Sequence, residues 1–214
     1  IFEYLYFLHP NSKVYNLSVR EFRTKLANYC KDLIKNNVDV VCGVPNSSRI
    51  YGLELARSLK KDYVEPIVKK KRSFILPTQE EREDYVKKKF HFPDYIFNYD
   101  HILIVDDSIV RGTTSKHLIS LFKEKNCKVT FLSCSPKITN VNKYGINITQ
   151  KEELVSYKRS HEEIKNYFTN ELQPDTKQTE TLKDLYIKPF FEVLNKNLKY
   201  GGEFPYFNDF LTAD

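Results

Sequence analysis

Methionine is absent from all 214 residues, and the four cysteines never fall into CxxC or Cys/His spacing. The second absence excludes the common structural-zinc and dithiol redox motifs. Cys30, Cys42, Cys127 and Cys134 instead have mostly apolar neighbours, which predicts buried or half-buried free thiols in a reducing compartment. No apolar run reaches the roughly 18 residues a spanning helix needs, and no basic-then-apolar leader opens the chain. Neither a membrane span nor a secretory signal is therefore expected, and the expected location is cytoplasmic. Arrayed tyrosines interleaved with Arg or Lys are missing too, because the lysines are scattered among glutamates. That pattern argues against nucleic-acid binding. The opening Ile1-Phe2-Glu3-Tyr4 begins inside a pattern, as the interior of a longer polypeptide would.

What is present is the composition of a folded domain, 41% hydrophobic and 29% charged, with 15 Tyr and 15 Phe. Its length allows one sizeable core with decorations. A net charge of +6 favours anionic partners without choosing among phosphorylated metabolites, nucleic acid and acidic protein surfaces. Residues 1–9 run apolar and predict an entering strand. Ser18 and Glu21 form a capping box for a helix whose apolar stripe is Phe22, Leu26, Tyr29, Leu33 and Ile34. Strands are expected at 38–45, at 60–68 ending in Ile67-Val68, at 102–107 and at 128–135. Helices are expected up to Leu59, near 80–89, at 113–124, from about 150 and around 181–196. Strand and helix alternate and the strands are apolar runs, which predicts a mostly parallel central sheet with helices on both faces. Ligands of such sheets bind beyond the carboxyl ends of the strands, where VPNSS, KKKR, DDSIVRGTT and SPKIT all fall.

The stretch ILIVDDSIVRGTTSKHL (102–118) carries the chemistry. Where a strand gives way to a loop, the alternation of side chains relaxes, and Asp106 and Asp107 can both reach one ligand. Ribose hydroxyls or a hydrated divalent cation would suit them. Arg111-Gly112-Thr113-Thr114-Ser115 then sets a glycine and hydroxyls at a helix start, where orphan N–H groups favour a phosphate. Taken alone, the acids could be an ordinary turn and Thr113 a helix cap. Joined to RGTTS, they describe a clamp for a sugar phosphate.

LIVDDSIVRGTTS resembles the signature of type I phosphoribosyltransferases, and in its longer form that of the amidophosphoribosyltransferase family. EYLYFLHPNS (3–12) is similar to that family's EYVYFARPDS, and VVCGVPNSSRIYGLELA (40–56) to its VPDS segment. SFILPTQEER, SPKITNVNKYGINIT, EELVSYKRSHEEI and GGEFPYF also have counterparts there. The resemblance implies a type I phosphoribosyltransferase fold over 1–168 and a C-terminal helical extension with an aromatic, Gly-rich tail over 169–214. It implies transfer of an amino group from ammonia to C1 of phosphoribosyl pyrophosphate, giving phosphoribosylamine and pyrophosphate. The implied partners are a glutaminase domain or subunit that supplies ammonia, purine nucleotides as inhibitors, and further copies in a homo-oligomer.

By the same match, Asp106 and Asp107 hold the ribose hydroxyls and, with Ser47, the shell of Mg2+. Ser108, Val110, Arg111, Gly112, Thr113, Thr114 and Ser115 hold the 5-phosphate, chiefly through backbone N–H groups. Asn46, Ser47, Ser48 and Arg49 form the pyrophosphate loop, with Arg49 adding charge. Lys69 and Arg72 belong to a basic lid over the leaving group. Here KKKRSFI lacks the YVG portion of the family's KNRYVGRTFI, and a shorter lid covers the site less completely. Asn46 and Asn147 stand where the family has aspartates. Asn142 and Lys143 stand where some members have a cluster-ligating cysteine, so no iron–sulfur cluster is expected. The departures keep a second function open, a binding module that takes phosphoribosyl pyrophosphate or nucleotides without efficient turnover.

Overall fold

The structure, a computed structural model, describes residues 3–14, 16–34, 37–68, 90–141, 148 and 150–169. The expected lid residues Lys69 and Arg72 lie outside the described residues, as do Asn142, Lys143, Asn147 and the helices expected near 80–89 and 181–196. So does the C-terminal extension apart from Thr169.

The N-terminal segment departs from expectation. Glu3–Phe7 forms a single π-helical turn, not a strand, and the Leu8 N–H closes it onto the Glu3 carbonyl at 2.9 Å. Side chains from elsewhere, Arg23 and Tyr51, take the Tyr4 and Leu5 carbonyls of this turn in place of a neighbouring strand. A small antiparallel pair follows, β1 (Lys13–Val14) and β2 (Leu17–Ser18). Helix α1 (Val19–Lys31) starts as expected, with Ser18 as its N-cap accepting from the Glu21 N–H at 3.3 Å.

Strand β3 (Val40–Gly43), helix α2 (Arg49–Leu59) and strand β4 (Asp62–Val64) come next. The strand expected over 60–68 divides in two, because Pro66 offers no N–H to a ladder. Its second part, β5 (Ile67–Val68), pairs antiparallel with β6 (Phe90–His91) in a separate two-stranded sheet. A 3-10 turn at Asp94–Asn98 leads into β7 (His101–Asp106), then α3 (Thr113–Glu124) and β8 (Lys128–Ser133). Among the described residues beyond 150 the helical expectation holds only for α4 (His161–Thr169). Lys151–Glu153 is a 3-10 turn, and the Val155 N–H that a helix would use donates instead to the Val110 carbonyl at 3.0 Å.

The main sheet is parallel throughout, in the order β4-β3-β7-β8. One face carries Val40, Cys42, Ile102, Ile104, Val129 and Phe131 against Leu118, Ile119 and Phe122 of α3 and Ile164 and Phe168 of α4. The other carries Val41, Leu103, Val105 and Leu132 against Phe22, Leu26 and Ala27 of α1 and Tyr51, Leu55 and Ala56 of α2. Each Val, Leu, Ile or Phe side chain among them contributes about 1.5–3 kcal/mol on burial. Both faces being covered explains why the strands are apolar runs. Register fixes the site: Gly43 pairs beside Val105 and Asp106 beside Ser133, so the carboxyl ends of β3, β7 and β8 stop at one level.

Candidate active site

At that level the loop after β3 meets the acids after β7. Residues 44–48 turn from the strand into α2, and the Pro45–Asn46 peptide is cis. The Ser48 hydroxyl, fully buried, donates to Asp106 Oδ1 at 2.8 Å and accepts from the Asp107 N–H at 2.9 Å. Ser47 Oγ donates to Asp107 Oδ2, and Ser108 Oγ donates to Asp107 Oδ1 at 2.7 Å. Each oxygen of Asp107 thus accepts a serine hydroxyl. Burial nonetheless holds the Asp107 carboxyl above the usual carboxylate range, with the two serine hydroxyls opposing the shift.

The acids open into a cavity of about 910 Å³. Asn46, Ser47, Ser108, Val110 and Thr114 line it with them, as expected of sequence positions in both loops. Gly112 ends the loop with φ of +79° as the N-cap of α3, and a Cβ there would meet the Phe168 ring at 3.1 Å. Only glycine combines that backbone with that packing. The first turn of α3 directs its N–H groups outward from Thr113 and Thr114, where no intrahelical acceptor exists for them.

The Arg49 side chain, expected to add charge at the pyrophosphate, is otherwise engaged, and the Arg111 side chain is paired as well. Arg49 donates twice to Glu65, at 2.7 and 2.8 Å, and the Tyr63 hydroxyl donates to the same carboxylate at 2.6 Å. The Arg49 bonds in turn hold the Glu65 carboxyl below its ordinary range. Tyr63 reaches there across a slot left by Gly43 and Gly52, where an added Cβ would strike its ring atoms. Arg111 is paired with Glu153 at 2.6 Å through Nε and again through a terminal nitrogen. Both arginines therefore brace loops.

The cavity also has a wall that sequence inspection did not assign. Tyr6, Phe7 and His9 line it, as do the buried Arg23 and Phe90. Tyr6 shares this cavity with the acid pair, and burial, then the charges of Asp107 and Asp106, push its phenol pKa up. The available signal for Arg23 was a charged residue inside the apolar stripe of α1, flanked by Val19, Phe22, Leu26 and Ala27. For Tyr6 and Phe7 it was the density of aromatics in a segment that resembles the family's EYVYFARPDS but was given no site role.

No protein-family model matches the chain. Curated relatives do. The amidophosphoribosyltransferase of Saccharomyces cerevisiae is 42% identical and that of Lachancea kluyveri 40% identical, each over 173 residues, covering 77% of this chain and 34% of the relative. Among solved structures, glutamine phosphoribosylpyrophosphate amidotransferase from B. subtilis, complexed with ADP and GMP, superposes with a TM-score of 0.70 at 28% identity. That match covers 94% of this chain and 43% of the other. The chain is homologous to the amidophosphoribosyltransferases. It spans about a third of the length of these curated relatives. The amidophosphoribosyltransferase resemblance seen in the motifs thus extends to the parallel sheet that carries them.

Proposed function

We propose that this chain is the transferase half of an amidophosphoribosyltransferase, forming 5-phosphoribosylamine and pyrophosphate from phosphoribosyl pyrophosphate and ammonia. The observation that carries the proposal is the serine bridge. Ser47 and Ser48 of one loop hold Asp107 and Asp106 of another, directly beside the α3 N-terminus, around one cavity. Paired acids, hydroxyls and a helix N-terminus within one cavity suit a substrate with a diol in the middle and phosphates at both ends.

In the proposed reaction the nitrogen lone pair of ammonia attacks C1 with inversion. The C1–O bond to pyrophosphate breaks, the bonding pair leaves on the pyrophosphate oxygen, and the nitrogen sheds a proton to solvent. Positive charge builds on the ribose ring as negative charge builds on the leaving group. Asp106 and Asp107 hold the ribose hydroxyls and face the positive centre, which stabilises it more in the transition state than in the ground state. Ser108, Thr113, Thr114, Ser115 and the backbone of Val110 to Gly112 hold the 5-phosphate, and Asn46 to Ser48 hold the pyrophosphate. Lys69 and Arg72, outside the described residues, remain the proposed lid.

Mg2+ fits the donor set. Among the described residues no group of three or more His, Cys, Asp or Glu could hold a metal. Mg2+ commonly takes one or two protein carboxylates and completes its shell with water and substrate phosphates, which is what Asp106, Asp107 and Ser47 offer. Bound there, it would neutralise charge on the pyrophosphate oxygens. A glutaminase domain or subunit as ammonia source, a homo-oligomer and a cytoplasmic location complete the proposal. Purine nucleotides are the proposed inhibitors, supported by the ADP and GMP of the B. subtilis relative's structure.

Titration calorimetry of Mg-loaded phosphoribosyl pyrophosphate tests the site. Asp106→Asn and Asp107→Asn should each weaken binding by about tenfold through loss of charge-assisted contacts. Parental affinity in both would overturn the clamp.

A further inference from the structure

Arg23 is the largest fully buried side chain of the described residues, with 2% of its surface exposed. Taking a guanidinium out of water is costly unless its N–H groups are matched. Here Nε donates to the Tyr4 carbonyl at 2.7 Å and a terminal nitrogen donates to the Leu8 carbonyl at 3.0 Å. Those two carbonyls bracket Leu5, Tyr6 and Phe7, the heart of the π-helical turn. Helix α2 holds the same turn from another side, because the Tyr51 hydroxyl donates to the Leu5 carbonyl at 3.2 Å. The Tyr4 ring packs on Phe22 with centroids 5.2 Å apart, and its hydroxyl donates to the Val14 carbonyl at 2.9 Å.

The turn has no sheet partner, so these side-chain bonds replace the ladder that would fix a strand. Yet it must hold two large, half-exposed aromatic side chains, Tyr6 and Phe7, in the wall of the cavity that contains Asp106 and Asp107. An aromatic wall that shifts lets water reach a reacting centre. Arginine suits the task where lysine does not. Its planar fork serves two acceptors along fixed directions, whereas an ammonium is a single mobile point charge.

We propose that Arg23 is a positioning residue: by clamping the Tyr4 and Leu8 carbonyls it fixes Tyr6 and Phe7 as a wall that keeps water from C1 and reserves that carbon for the amine. The inference rests on the transferase function proposed above. Water attacking C1 would give ribose 5-phosphate and pyrophosphate. Ammonia gives phosphoribosylamine and pyrophosphate. The ratio of total pyrophosphate to phosphoribosylamine therefore reports the tightness of the wall, and uniform destabilisation of the protein lowers both products without changing it.

The experiment measures both products in ammonia-dependent assays of the intact protein, for the parent, Arg23→Lys and Tyr51→Phe, well below each melting midpoint. Arg23→Lys keeps the charge and loses the fork. It should raise the ratio about fivefold, and Tyr51→Phe, which removes one bond to the same turn, should raise it less in the same direction. A parent that aminates, with both variants at the parental ratio, would overturn the role of Arg23 and leave the function standing. A parent that forms no phosphoribosylamine would overturn the function and this inference together. If Arg23→Lys does not fold, Tyr51→Phe alone decides: a raised ratio supports the clamped wall, and a parental one overturns it.

Discussion

Ser48 and Asp106 are joined by a 2.8 Å hydrogen bond although 58 positions separate them in the chain. The same hydroxyl accepts from the Asp107 N–H, so one buried oxygen aligns both acids with the loop that precedes α2. Ser48→Ala leaves Asp106 and the Asp107 N–H without that partner. Loss of a buried hydrogen-bonding group costs about 1–3 kcal/mol. Thermal or urea denaturation should show a loss in that range, and affinity for Mg-loaded phosphoribosyl pyrophosphate should fall about tenfold as the acids lose alignment. An unchanged affinity would show that the serine is structural only.

Arg49 is braced by Glu65, and phosphate affinity should hardly depend on it. The pair is bidentate, but Arg49 is half exposed, which discounts its contribution to stability. Arg49→Met, Glu65→Gln and the double variant should form a non-additive cycle in stability of about 0.5–1 kcal/mol. Substrate affinity should change less than about threefold in each, at every salt concentration tested. A steep fall for Arg49→Met alone would place its charge on the pyrophosphate.

Gly112→Ala combines a backbone with positive φ and a methyl group pressed to within 3.1 Å of the Phe168 ring. Strain of this kind costs about 1–3 kcal/mol. Because Gly112 caps α3 at the proposed phosphate loop, the variant should lose both melting temperature and affinity for ribose 5-phosphate. Retained affinity with lowered stability would separate the glycine from phosphate binding.

His101 gives a pH dependence. Its Nδ1 lies 3.0 Å from the Asn37 carbonyl, which can only accept, so Nδ1 carries the proton and Nε2 accepts from the Thr130 hydroxyl at 2.9 Å. Burial lowers its pKa below the ordinary 6.5. The unfolded chain therefore binds more protons across that window, and stability falls as pH drops through 6.5 toward the folded value. His101→Gln should be less stable than the parent at pH 8, and the gap should narrow by pH 5.5. A gap that widens on acidification would contradict the assignment.

The sheet, the α1 cap and the acid pair were legible because each rests on local pattern: apolar runs within 38–45 and at 102–105, Ser18 before Glu21, and Gly112 before a helical stripe. The rest depended on distant partners. Nothing local distinguishes an apolar strand at 3–7 from a turn whose carbonyls Arg23 and Tyr51 will collect. Glu65 and Glu153 lie far from Arg49 and Arg111 in the chain, so their claim on those side chains is invisible in the sequence, which offers the Arg49 charge to the pyrophosphate and only the backbone around Arg111 to the 5-phosphate. The segment after 150 looked helical by composition, but its Val155 N–H is taken by Val110 across the fold.

The most direct test of the central claim is simultaneous measurement of phosphoribosylamine and pyrophosphate formed by the intact protein from phosphoribosyl pyrophosphate, Mg2+ and ammonia. Transferase function predicts both products in near-equal amounts, dependent on ammonia and lost in Asp106→Asn and Asp107→Asn. Tight substrate binding with neither product formed would contradict it and leave a binding module in its place.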